Sequence, residues 1–304
     1  MPERKLANEY DLSEGAVHKI IVSELNVLPE NSWLTQEHAD FSKYSRILIL
    51  DGKYIKVRGY EKKIPMLWGI DYLTHDIPVK LLAPSENEAA FDRYFGLLET
   101  VGYTPKIVVV DDRAGIARAL RRHFPHARVQ LCHVHLLENL RQALKIRTEA
   151  THLEFFLKVR EILKTRDGQL IKQGIAELVL RYEHVNVLYT QIVLSIWARR
   201  RGLFAYLSMP ECPNNTNLIE LYNSHLNGRL KTVKGFKSFH SGDRWLNAYV
   251  VRRRTKELTD CEGRFKHLNG RCSLEIVAKD VTAVRRLKEK LGGKREKNAP
   301  KSER

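Results

Sequence analysis

Cysteine is scarce in this chain, and long apolar runs are missing from it. Four cysteines, Cys132, Cys212, Cys261 and Cys272, fall at irregular spacing among 304 residues. That pattern builds no disulfide framework, so free thiols in a reducing compartment are expected. No apolar run approaches the ~20 residues that cross a bilayer, and the opening MPERKLANEY has no apolar signal stretch. A membrane partner is therefore not expected, and internal repeats and low-complexity arrays are absent as well. Acidic side chains are also in deficit, with Asp+Glu 36 against Lys+Arg 52 and a net charge of +16. Residues 285–304 hold nine basic and three acidic side chains, so this stretch supplies +6 and the rest keeps +10. A chain basic throughout its length points to a polyanionic partner and to a cytoplasmic, nucleoid-associated location.

Against that background three acids stand out: Asp51 in RILILDGKYIKVRG, Asp111 in PKIVVVDDRAG, and Glu220 in NNTNLIELYNSHLNGRLK. The first two end apolar β-runs and the third heads a helix. A carboxylate at the end of a buried strand is costly unless something pairs with it, and three such acids suggest a shared divalent cation. Two ions about 3.5–4 Å apart would polarise a phosphodiester and activate water or a 3′-hydroxyl.

The order of elements supports an α/β core. Residues 46–58, 64–72 and 77–82 read as strands of an antiparallel meander. Residues 87–100 read as a helix, 107–110 as a short buried strand, 116–123 as a helix and 129–132 as a further strand. The order βββαβαβ predicts a mixed sheet with helices on its faces. Residues 136–210 carry helical spacing almost throughout, the motif Pro213-Asn214-Asn215-Thr216-Asn217 caps the helix of Glu220, and another helix runs to Arg254. At the other end, Leu6, Ala7, Tyr10, Ala16, Val17, Ile20 and Ile21 form two stripes around a turn at Leu12. They predict a shortened helix-turn-helix with His18 and Lys19 on its DNA face.

The runs VVVDDRAGIARAL, HFPHARVQLCHVHLLENLR and TNLIELYNSHLNGRLKTVKGFKS resemble the acid-triad (DDE) transposases of the Mutator-like and related bacterial insertion-sequence group. The resemblance covers roughly residues 47–239. It implies a ribonuclease H-like fold, a Cys-x-x-His signature after the second acid and an all-helical insertion before the third. By this resemblance the catalytic, metal-holding acids are Asp51, Asp111 and Glu220. Asp111 is favoured over Asp112 because Gly115 stands four residues beyond it, as in the family pattern. The signature falls on Cys132 and His135, with Asn139, Asn217 and Asn223 in support. One Cys-x-x-His pair supplies two of the four ligands zinc requires, so zinc is not expected. Cys132 is expected in the core, His135 near the metals, and His133 on the opposite face of a strand.

The expected architecture is a partial helix-turn-helix and connector over 1–40 and a ribonuclease H-like core over 41–148 and 213–258. It is interrupted by a helical insertion over 149–212 and followed by a basic tail over 259–304. Arg199, Arg200, Arg201, Arg229, Lys231, Lys234, Arg252, Arg253 and Arg254 are expected to face DNA, where they also complement helix dipoles. Trp197, among Leu188, Ile192 and Ile196, reads as core, with stacking on an unpaired base during strand opening as the lesser alternative. The expected activity is metal-dependent hydrolysis at transposon ends and strand transfer into target double-stranded DNA by a homo-oligomer, with Mg²⁺ or Mn²⁺, two ions in all. A non-catalytic DNA-binding regulator, or a nuclease or resolvase of the same fold, is the alternative.

Overall fold

The computed structural model describes residues 3–182 and 184–292. The chain opens with three helices, α1 (Glu3–Tyr10), α2 (Glu14–Val27) and α3 (Asn31–His38). The Ser13 hydroxyl starts α2 by accepting the Ala16 amide at 3.1 Å, the usual way to satisfy a first-turn N–H. Ala7 and Val17 are buried on the two helices, whereas Tyr10 and Ile20 of the expected stripes are exposed.

The sheet comprises β1 (Ile47–Ile55), β2 (Ile64–Asp71), β3 (Lys80–Leu82), β4 (Ile107–Val110) and β5 (Arg128–Leu131). Helix α4 (Glu88–Val101) precedes β4, and α5 (Ile116–His123) precedes β5. The strand order is β3-β2-β1-β4-β5. The β1–β2 and β2–β3 pairs are antiparallel and β1–β4 and β4–β5 are parallel, so the mixed sheet matches the βββαβαβ reading. The third strand is shorter than residues 77–82 because Pro78 cannot donate to a ladder. Asn87 caps α4 through the Ala90 amide at 3.0 Å, and Gly102 ends it at φ 88°.

Beyond β5 come α6 (His133–Ala143), α7 (Leu153–Lys164), α8 (Gly168–Tyr182), α9 (Val187–Leu203), α10 (Asn217–Val233), α11 (Phe239–Thr255), α12 (Ser273–Ile276) and α13 (Val281–Gly292). The pleat divides the core in two. Leu48, Leu50, Val108 and Val110 face α4 to α9 together with α12 and α13. Ile47, Ile49, Ile107 and Val109 face α10 and α11. Continuing that alternation puts Asp51 and Asp111 on the α10 face.

Two expectations change here. Residues 259–292 are no loose tail: Leu268, Leu274, Val277, Ala278 and Val284 are buried, and Lys279 N reaches His38 O at 2.7 Å. Their apolar spacing gives them a face to bury. Residues 293–304 of the expected tail lie outside the described residues.

Arg254 is corrected as well. It faces no solvent, having 0% side-chain exposure, and it pairs with the equally buried Asp76 at 2.7 Å. It continues the buried row Leu246 and Val250 of α11 at four-residue spacing, which turns its guanidinium inward. There it also donates to Asn31 O, Asn31 Oδ1 and Thr35 Oγ1 at 3.1, 2.8 and 2.9 Å, tying α11 to α3.

Candidate active site

The parallel register of β1 and β4 pairs Ile49 with Val109, so Asp51 and Asp111, each two residues further on, stand side by side. Asp111 directly follows β4. Asp51 lies inside β1 and not at its end, because the antiparallel ladder to β2 runs on through Asp51↔Trp68 to Ile55↔Ile64.

Helix α10 closes the site from above. Asn223 Nδ2 donates to Asp51 Oδ2 at 2.6 Å, and Asn223 Oδ1 accepts from Trp68 Nε1 at 3.1 Å, which fixes the amide and aims its donor at the acid. Three residues before Asn223 on the helix is Glu220. Thr216 Oγ1 lies 3.0 Å from Glu220 Oε1 and 3.3 Å from Cys132 Sγ. The helix start itself is capped by Asn215, whose Oδ1 accepts the Asn217 amide at 3.1 Å.

His135, one turn into α6, joins the acids. Its Nδ1 is 2.7 Å from Asp111 Oδ1 and 3.2 Å from Cys132 Sγ, and its Nε2 is 3.9 Å from Glu220 Oε1. The ring is not aligned for a hydrogen bond to Asp111, which leaves that buried oxygen without one. Burial pushes the Asp111 carboxyl up to about 6, opposed by His135 and Arg113 and reinforced by Asp51 and Glu220. Burial also raises Asp51, opposed by the Gly52 amide and reinforced by Glu86. An Asp111 carboxyl raised by burial and by its acidic neighbours, with a buried oxygen that has no donor, describes a site short of positive charge, which suits a divalent cation on oxygen ligands. Asp111, Cys132 and His135 also offer O, S and N atoms within 4.8 Å of one another, a mixed set that a softer ion accepts too.

The structure brings together Asp51, Asp111, Cys132, His135, Glu220 and Asn223, and Asn139 lines the same cavity as Asp111. Asn217 is exposed, with only its backbone engaged in the cap. Cys132 is buried as expected. His133 is buried but opens α6 rather than lying on a strand, because β5 stops at Leu131; its ring nitrogens approach Leu163 O at 3.1 Å and Leu203 O at 2.6 Å.

Asp112 pairs with Arg199 at 2.5 Å, and both line the same cavity as Asp111. Trp197 is 43% exposed with the Arg200 guanidinium 4.1 Å above its ring. It lies about 100° round the helix from Ile196, beyond the edge of the buried stripe. His18 faces Glu3 on α1 at 3.1 Å, while Lys19, Arg201, Arg229, Lys231, Lys234 and Arg252 are exposed.

Two contributors were not anticipated. Thr216 was read only as part of a capping motif, although its position four residues before Glu220 on a helix was a usable signal. Glu86, between β3 and α4, brings a fourth carboxylate beside Asp51. Its Oε1 would lie 3.2 Å from any Cβ placed on Gly52, and it accepts from Tyr54 Oη. Glycine at 52 is what lets it approach.

The fold and this acid cluster are those of an α/β protein with a carboxylate-rich site on the α10 face of its mixed sheet. The sequence profile of the family described as "Transposase, Mutator family" matches residues 21–257, and the chain belongs to that family. It is 25% identical over 253 residues to the transposase for insertion sequence element IS256 in transposon Tn4001 of Staphylococcus aureus. That alignment covers 79% of this chain and 63% of the relative. The transposase for insertion sequence element IS905 of Lactococcus lactis is 25% identical over 231 residues, 71% of this chain and 56% of the relative. The chain thus spans 63% or less of the length of these curated relatives.

Proposed function

We propose that this chain carries the ribonuclease H-like catalytic core of a DDE transposase that cuts phosphodiesters at the ends of an insertion sequence and joins the freed 3′-hydroxyl to target DNA. The observation that carries the reading is the convergence of Asp51 and Asp111, set side by side by strand register, with Glu220 brought over them on α10 through Asn223, Thr216 and His135. Family membership supports DNA as the substrate.

Asp51, Asp111 and Glu220 are the hard oxygen donors that would hold Mg²⁺ or Mn²⁺. When bound, such ions polarise the scissile phosphate and make water or a 3′-hydroxyl a competent nucleophile at neutral pH. The chain's own groups do the rest. Asn223 holds Asp51 in one rotamer through Trp68. Thr216 fixes Glu220 against Cys132. His135 stands between Asp111 and Glu220, with Nδ1 2.7 Å from Asp111 Oδ1 and Nε2 3.9 Å from Glu220 Oε1. The helical hairpin of α1 and α2, with Lys19 on its exposed face, serves as a helix-turn-helix-like reader of end DNA. The exposed basic side chains near the ends of α9, α10 and α11 contact phosphates. The protein acts as a homo-oligomer on paired ends.

The test is Mg²⁺-dependent nicking of a labelled duplex carrying the element's terminus, run beside a gel shift on the same duplex. Glu220→Gln keeps side-chain shape but removes the charge. It should lower nicking by at least about 100-fold while leaving binding intact, since loss of an ion-holding charge removes transition-state stabilisation and not ground-state contact. A Glu220→Gln protein that nicks at the wild-type rate overturns the assignment.

A further inference from the structure

A second cavity lies apart from the acid site. It is a concave space of about 690 Å³ between the second half of α2, the end of α10 and the middle of α11. Its walls divide by chemistry. Ile21, Leu25 and Ala248 are apolar, and Trp245 and Tyr249 stand one helical turn apart with rings nearly parallel, 10° between planes and 5.9 Å between centroids. Around them are the cations Arg229, Arg252, Arg253 and Lys256. Among the described residues none of these four has a carboxylate partner within 4.0 Å. The lone acid of the wall, Asp260, is turned toward His225 at 3.7 Å. Arg253 is held in place by stacking over Tyr222, 4.5 Å from the ring centre. Four cations with one carboxylate in the same wall leave the cavity with an excess of positive charge, which favours an anion there.

The cavity also cannot serve the reacting phosphate. Glu220 and Arg229 lie on one helix nine residues apart, which is about 14 Å along the axis and half a turn round it. A ligand here sits on the far side of α10 from the acids. The space is equivalent to a cube about 9 Å on a side, which excludes base-paired duplex, whose major groove alone is about 12 Å wide. It suits a single nucleotide, with the base on the aromatic and apolar wall and the phosphate among the cations. Aromatic faces and basic side chains in one groove are the combination that holds unpaired nucleic acid.

We infer that this cavity binds one unpaired nucleotide of DNA, with its base against Trp245 and Tyr249 and its phosphate against Arg229, Arg252, Arg253 and Lys256, as a second DNA site separate from the acid cluster. The inference rests on the reading of the chain as a DNA-cutting transposase and adds the state of the DNA it grips: a strand opened or a base turned out at a distance from the cut.

The test measures anisotropy of labelled ten-nucleotide oligothymidine and of a fully paired twenty-base-pair duplex against the full chain over a salt series. It is joined by photo-cross-linking of the oligonucleotide with 5-iododeoxyuridine in place of one thymidine. The double variant Arg252→Gln, Lys256→Gln changes two exposed side chains, so folding is spared. Its salt slope on oligothymidine should fall by about 0.7, the share of one phosphate contact on a single strand. Trp245→Leu should weaken oligothymidine binding about tenfold and duplex binding much less. In the wild-type protein the cross-link should map to Trp245 or Tyr249. Cross-links confined to other segments, or a double variant whose oligothymidine binding equals wild type while duplex binding is normal, overturn the cavity alone. A wild-type protein that binds neither DNA overturns the cavity and the transposase reading together.

Discussion

Replacing Arg254 with leucine separates a structural arginine from one that meets DNA. Its guanidinium makes two hydrogen bonds to Asp76, from Nε to Oδ1 at 2.9 Å and from Nη2 to Oδ2 at 2.7 Å, and neither side chain is exposed. Asp76 also accepts from Tyr44 Oη at 2.7 Å and Ser273 Oγ at 2.9 Å. Those two neutral donors cannot replace the lost cation. Removing one partner of a fully buried ion pair costs about 3–5 kcal/mol, because the other charge stays behind without compensation. For a domain of this size that is a fall in Tm of about 10 °C. Asp76→Asn in the Arg254→Leu background removes the stranded charge and should recover part of the loss, giving a coupling of at least about 1–2 kcal/mol in the double-mutant cycle. The assay is urea unfolding followed by circular dichroism, with Arg252→Leu, an exposed neighbour, as the control expected to stay within about 0.5 kcal/mol. A loss below about 1 kcal/mol for Arg254→Leu, the range of an exposed arginine, would refute the claim that this network joins α11 to α3 and the region after it.

The raised carboxyl of Asp111 fixes the sign of a pH effect: its folded value of about 6 lies above the ordinary value of 3.8, so the stability it contributes is complete below about pH 4 and is lost as pH rises through about 6. Asp111→Asn should therefore make the metal-free protein about 1–2 kcal/mol more stable than wild type at pH 7, after allowing for partial solvation, with little difference at pH 4 and nicking abolished; equal denaturation midpoints at pH 7 would contradict this. Gly69→Ala should cost about 1–3 kcal/mol, because the added Cβ would lie 2.6 Å from Tyr94 Oη and 2.7 Å from Leu48 Cδ1; an unchanged melting temperature would show that this layer can open. Binding to end DNA should weaken by several powers of ten between 50 and 200 mM salt, and a flat titration would mean the exposed arginines do not meet phosphate.

The sheet was legible because its strands are apolar runs bounded by turns, and Asp111 was legible because it interrupts one of them. The place of Asp51 within β1 was not, since the ladder that carries β1 past it depends on a partner strand in the same hairpin and not on local composition. Glu86 stands in a polar loop with no periodicity, and only the approach across Gly52 gives it meaning. Arg252, Arg253 and Arg254 look alike as a basic run at a helix end. The four-residue row from Leu246 through Val250 to Arg254 was the one cue that the last of them turns inward, and a charge is normally read as the end of such a row. Trp197 erred the other way, since an aromatic beside Ile196 takes on the hydrophobic character of its neighbours while the helix turns it out of their face.

The bond between Asn223 and Asp51 joins residues 172 positions apart. A ribosome adding about 5–20 residues per second finishes the strand that bears Asp51 some ten to thirty seconds before it makes Asn223 and Glu220. For the later part of that interval the nascent protein has its whole sheet and both aspartates but no helix to lay over them, so the acid cluster is completed only after the intervening helices have been made.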